Sequence, residues 1–76
     1  MSKALILINA EAGKENELMD QIKKDQNVRE VYVTYGVFDL IAFVEAVTQE
    51  KLRQIITRNI RALPGVKTTI TMIVVE

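Results

Sequence analysis

The apolar segments of this chain carry hydrophobic side chains on both faces of a strand, and this constrains the fold more than any other feature. In "ALILINA", Ala4 to Ala10, the residues Ala4, Ile6 and Ile8 oppose Leu5 and Leu7. In "FDLIAFVEAV", Phe38 to Val47, Leu40, Ala42 and Val44 oppose Ile41 and Phe43. In "VKTTITMIVV", Val66 to Val75, strict alternation puts Val66, Thr68, Ile70, Met72 and Val74 on one face and Thr69, Thr71, Ile73 and Val75 on the other. A sheet with one solvated face shows clean apolar–polar alternation, which is absent here. Helices can cover one face. The second would be a larger apolar patch than a soluble monomer normally exposes. A second copy of the same sheet is the expected cover, in a self-complementary two-fold dimer.

Between the strands the period changes. Leu18, Met19 and Ile22 form an inner stripe that predicts a first helix over about Gly13 to Asp25. Glu15 and Glu17 near its start and Lys23 and Lys24 near its end suit the helix dipole. "VREVYVTY", Val28 to Tyr35, reads as a strand. Thr48 is placed to cap a second helix, with Glu50 in its first turn. Leu52, Ile55, Ile56, Ile60 and Leu63 then recur along one helical face. "LPG", Leu63 to Gly65, ends it, because proline disfavours helix at the preceding residue and glycine tolerates the turn. The order is β-α-β-β-α-β. With right-handed crossovers it predicts an α+β, ferredoxin-like sandwich: a four-stranded antiparallel sheet with two helices on one face, doubling into a dimeric α/β barrel.

Composition agrees with self-association. The 76 residues make one domain, 1–76, and a domain of this size buries only about 60% of its unfolded surface. Yet 49% of the residues are hydrophobic. Ten basic and ten acidic residues cancel, so no net field draws the chain to nucleic acid or anionic membrane. There is no cysteine for disulfide or thiolate chemistry. No signal peptide precedes Lys3 and no apolar run nears the roughly 18 residues of a membrane span, so a cytoplasmic address is expected.

The catalytic inventory is thin. The chain has no histidine, cysteine or tryptophan, and Ser2 is its only serine. Triads and histidine or thiolate metal sites are thereby excluded, leaving a carboxylate pair or a tyrosine as formal acid–base candidates. Lys51, Arg53, Arg58 and Arg61 gather on the second helix and read as a solvated face favoured by the dipole. No catalytic residue, cofactor or metal is expected.

Three regions hold more information. "GVFD" joins Gly36 to Asp39, and a charge there leads an apolar strand. "LPG" makes a corner, and Thr68, Thr69 and Thr71 cluster on the last strand. Turn chemistry accounts for the first, and β-propensity for the threonines. Together they also fit a cleft between subunits. There Asp39 would pair with the ammonium of a small zwitterion, and backbone donors near Gly36 or hydroxyls with its carboxylate.

At this point "VYVTYGVFDLIAFVEA" and "RALPGVKTTITMIVVE" resemble the effector-binding domain of the Lrp/AsnC feast/famine transcription regulators, the RAM domain. Gly-x-aromatic-Asp at Gly36, Phe38 and Asp39, Leu-Pro-Gly-Val at Leu63 to Val66, and Thr-x-Thr at Thr69 and Thr71 carry the likeness over essentially the whole chain. The resemblance implies a ferredoxin-like fold, sheet-to-sheet homodimers assembled into octamers or decamers, and a small amino-acid effector bound between subunits. The implied ligand residues are Gly36, Asp39, Thr69 and Thr71, with Tyr35 as a neighbour. Regulators of this family carry an N-terminal helix-turn-helix, and here nothing of that kind precedes the first strand. The resemblance is therefore to a stand-alone module without direct DNA binding, able to modulate transcription by co-assembly with full-length relatives. Tyr35 also departs from the small or hydroxylated residue usual before the glycine.

Two other readings fit the same plan. One is a structural or interaction module without ligand. The other is a small dimeric α/β-barrel enzyme of the monooxygenase or isomerase type, against which the aliphatic pocket-facing residues argue.

Overall fold

Alternation along Ser2–Ala10 (β1) resolves into a buried set, Ala4, Ile6, Ile8 and Ala10, and a half-covered set that includes Leu5 and Leu7. The computed structural model describes residues 1–75; Glu76, the end of the second quoted segment, lies outside them. The remaining elements are α1 (Glu15–Lys23), β2 (Val28–Val33), β3 (Leu40–Ala46), α2 (Gln49–Ile55), running directly into a π-helical segment (Ile56–Arg61), and β4 (Val66–Val74). The sheet order is β2-β3-β1-β4, with every neighbouring pair antiparallel. This is the expected ferredoxin-like sandwich.

The first helix is shorter than its apolar stripe predicts. Gly13 has φ +84°, which an α-helix cannot use, so the helix opens only at Glu15. After Lys24, Asp25 turns the chain, its Oδ1 accepting from the Asn27 N–H at 2.8 Å. Thr48 caps α2 as expected, its Oγ1 accepting from the Lys51 N–H at 3.1 Å. The expected single α-helix after it does not persist: from Ile56 it widens to π-helix.

Leu18, Ile22, Leu52, Ile55, Ile56 and Ile60 fill the layer between helices and sheet, against Ala4, Ile6, Ile8, Leu40, Ala42 and Val44. Among the described residues no polar or charged side chain is buried. Among the described residues, no element of this chain packs on the opposite sheet face. On it lie Leu5 and Leu7 of β1, Ile41 and Phe43 of β3, Tyr32 of β2, and Ile70, Met72 and Val74 of β4. Tyr32, Ile70, Met72 and Val74 are each 44–49% exposed. The Tyr32 and Phe43 rings meet edge to face, centroids 6.3 Å apart.

One strand residue falls on the other side from its expected place. Asn9 pairs with Thr68 but Ala10 pairs with Val66, so Lys67 is an extra residue in β4. This bulge reverses the alternation before it, and Val66 packs against the core instead of joining Thr68 and Ile70.

Candidate functional site

Two of the three sequence motifs, the "GVFD" loop and the "LPG" corner, meet at the carboxyl end of β1. Antiparallel pairing brings the start of β3 there through Ile8 and Leu40, and the start of β4 through Ala10 and Val66. The "GVFD" loop and the "LPG" corner therefore flank the same strand end. The Glu11 N–H donates to the Gly65 carbonyl at 2.8 Å, tying the corner down. Gly65 is favoured there by its backbone, whose φ of +95° side-chain-bearing residues rarely adopt.

The connection between β2 and β3 is a six-residue loop, Thr34 to Asp39, longer than the expected hairpin. Backbone and side chain close it together. The Thr34 N–H donates to the Asp39 carbonyl at 2.8 Å, and the Thr34 hydroxyl donates to the Phe38 carbonyl at 2.7 Å. Gly36 takes φ +130°, a conformation that side-chain-bearing residues rarely adopt. Asp39 then fastens the loop to β1. Its N–H donates to the Ile8 carbonyl at 3.0 Å, and its Oδ2 accepts from the Ala10 N–H at 2.9 Å. The carboxylate is half-buried and bonds the protein through Oδ2 alone, leaving Oδ1 without a protein donor among the described residues. Turn chemistry thus uses only part of this side chain.

Beside it opens a cleft of about 360 Å³ lined by Glu15, Asn16, Val33, Thr34, Tyr35 and Asp39. Tyr35 is fully exposed at its rim. Two carboxylates with an amide and a hydroxyl give this cleft groups that suit a positively charged partner. Glu15 and Asn16 were not expected here. Glu15 already had a sufficient local reason, the helix dipole, and no spacing in the sequence links it to Asp39.

The threonines lie elsewhere in the protomer. Thr69 and Leu40 flank Ile8 in one cross-strand row, so two strand spacings, about 10 Å, separate Thr69 from the start of β3. Thr69 lines a cleft of about 330 Å³ with Arg61, Val66, Lys67 and Thr68. Thr71, opposite Ile6, lines another of about 380 Å³ with Arg53, Ile56, Thr57, Arg61 and Ile73. Of the expected ligand residues, Tyr35, Gly36 and Asp39 share one loop, and Thr69 and Thr71 share β4. A single copy does not bring the two groups into one pocket. Among the described residues no group of three or more acidic, histidine or cysteine side chains is arranged to hold a metal, and no helix is long and apolar enough to cross a membrane.

The fold and these clefts define an α+β binding domain of ferredoxin-like plan. A family model described as the Lrp/AsnC ligand binding domain matches residues 3–76, and the chain belongs to that family. It is 36% identical over 73 residues to the HTH-type transcriptional regulator FL11 of Pyrococcus abyssi, covering 96% of this chain and 48% of the regulator. The chain thus spans about half the length of the curated relatives it matches. Among solved structures, FFRP-DM1 superposes with a TM-score of 0.95 at 44% identity, over 99% of this chain and 100% of that one. PHS023 of Pyrococcus horikoshii gives 0.94 at 43% identity, over 100% of this chain and 92% of that one.

Proposed function

We propose that this domain is an amino-acid-responsive binding module that works as an assembly of copies, without catalytic turnover. The observation that carries the reading is the half-engaged Asp39 carboxylate in the acidic cleft beside the Thr34–Asp39 loop. Oδ2 holds the loop while Oδ1 is left to meet an ammonium group. Tyr35 and the Gly36 backbone border the ligand, and Thr69 and Thr71 of a neighbouring copy complete the site from across an interface. The bare apolar sheet face supports a sheet-to-sheet homodimer, and dimers of that kind would build the octamer or decamer that closes the ligand sites.

Among the described residues every buried side chain between sheet and helices is apolar, which favours binding over an enzyme of the dimeric-barrel type with polar catalytic groups buried there. The matched regulator is a transcription factor, and on that basis we assign a cytoplasmic role in modulating transcription. It would act by co-assembly with full-length Lrp/AsnC regulators, without touching DNA itself.

A thermal-shift screen against the twenty amino acids, with light scattering to report assembly size, tests this. Ligand at a hundred times its Kd adds about 2.7 kcal/mol per site when only the folded form binds. For a small domain each kcal/mol is worth roughly 4–8 °C. A shift with one or a few amino acids is expected, and no shift with any of them would leave an assembly module without ligand.

A further inference from the structure

Charge is unevenly placed along this neutral chain. From Gln49 to Val74 the basic residues are Lys51, Arg53, Arg58, Arg61 and Lys67, against the single acid Glu50. The three ion pairs among the described residues use Lys3, Lys14 and Arg29, so Arg53, Arg61 and Lys67 have no carboxylate partner there. A solvated helix face explains isolated cations, but these three line clefts. Arg61 belongs to both β4 clefts: Lys67, Thr68 and Thr69 share one with it, and Arg53, Thr57 and Thr71 the other. The result is one groove along the edge strand, walled by guanidinium, ammonium and hydroxyl donors.

Two departures from regular structure build it. In an α-helix, residues i and i+4 drift about 40° round the axis, so Arg53, Thr57 and Arg61 would spiral away from a line. A π turn takes about 4.4 residues, which makes the i, i+4 drift run the other way. The π segment from Ile56 to Arg61 therefore returns Arg61 towards the line of Arg53 and Thr57, facing β4. On the strand side, the bulge that inserts Lys67 puts that residue in the cleft beside Arg61.

We propose that this groove is a carboxylate receptor with Arg61 at its centre, and that it turns the ligand preference of the domain towards acidic amino acids. An Arg fork takes a carboxylate through two parallel hydrogen bonds, and the flanking threonine hydroxyls complete its oxygens. One α-carboxylate would leave cations of the groove unmatched, whereas a ligand with two carboxylates engages Arg61 together with Arg53 or Lys67. The preference rests on the amino-acid reading above; the receptor itself does not.

The test is isothermal titration of the full chain with glutarate, which has two carboxylates and no ammonium, and with L-glutamate, L-lysine and L-leucine. Expected are saturable glutarate binding, weakened at least tenfold in Arg61→Gln and in Arg53→Gln but unchanged in Lys24→Gln, and glutamate binding tighter than lysine or leucine. Asp39→Asn should weaken glutamate and spare glutarate. Arg53 and Arg61 are exposed, so neither variant removes a core contact. Non-saturating glutarate heats, or equal binding by Arg61→Gln, would overturn the receptor. Tighter leucine than glutamate would overturn the preference while leaving amino-acid sensing intact. Glutarate binding with no response to any amino acid would sustain the receptor and defeat the sensing proposal.

Discussion

Asp39 Oδ2 accepts the backbone N–H of Ala10 at 2.9 Å, so a loop carboxylate terminates the central strand where its ladder with β3 ends. The β1–β3 pairing ends at Ile8 and Leu40, so the Ala10 N–H, which faces the β3 side, has no strand partner and finds Asp39. Structure and candidate site are thereby joined in one side chain. Asp39→Ala should lose about 1–2 kcal/mol, since it removes a charged acceptor and strands a backbone donor. Asp39→Asn keeps an acceptor oxygen and should lose less than half of that. Urea denaturation of the two variants separates the structural role from the charge.

The bare sheet face gives a second expectation. Met72 sits opposite Leu5 on that face and is 44% exposed. Met72→Glu would bury an unpaired carboxylate at a sheet-to-sheet interface, at a cost of about 2 kcal/mol or more. Sedimentation velocity should show the dimer weakened by about 30-fold or more, with the far-ultraviolet spectrum unchanged. An unchanged dimer would place the interface elsewhere.

Thr48 offers a local check on the fold. Its hydroxyl accepts the Lys51 N–H at the start of α2, and Thr48→Ala should cost about 1 kcal/mol in chemical denaturation. Thr48→Ser should restore most of it.

Tyr32 carries a pH expectation. Its phenol donates to the Glu30 carboxylate on the open face, and that bond, reinforced by the negative charge of Glu30, holds its pKa above the ordinary 10.0. A phenol with a raised folded pKa favours the folded state while protonated. Its contribution is complete below pH 10 and fades as pH rises through the higher folded value. Ultraviolet titration in a Tyr35→Phe background should show late ionisation of Tyr32, moved back towards 10 by Glu30→Gln.

Much of this architecture is legible in the sequence because one physical cause dominates each element. Ala4, Ile6 and Ile8 against Leu5 and Leu7 announce a strand with two apolar faces, and both faces are as read. Thr48 before Leu52 and Ile55 announces a capped helix. The failures are places where two structures satisfy one pattern. Leu52, Ile56 and Ile60 recur every four residues, a spacing close to one turn of either an α- or a π-helix, so the widening at Ile56 leaves no mark. An extra strand residue is equally silent, which is why Val66 was placed on the wrong face. The lining of the candidate clefts was half legible. Gly36 and Asp39 stand out because a glycine and a carboxylate interrupt an apolar pattern. Glu15 and Arg61 do not, since each has a sufficient explanation in the helix dipole and acquires its place in a cleft only through tertiary contact.

The central claim is that ligand is held between copies, with Asp39 of one and the β4 threonines of another. Native mass spectrometry of the wild type and of Met72→Glu, each with the amino acid that gives the largest thermal shift, tests it most directly. The account predicts one ligand per subunit on the wild-type assembly and none on the monomer released by Met72→Glu. Equal occupancy of that monomer would contradict it, because a single copy keeps its acidic cleft and its threonines apart.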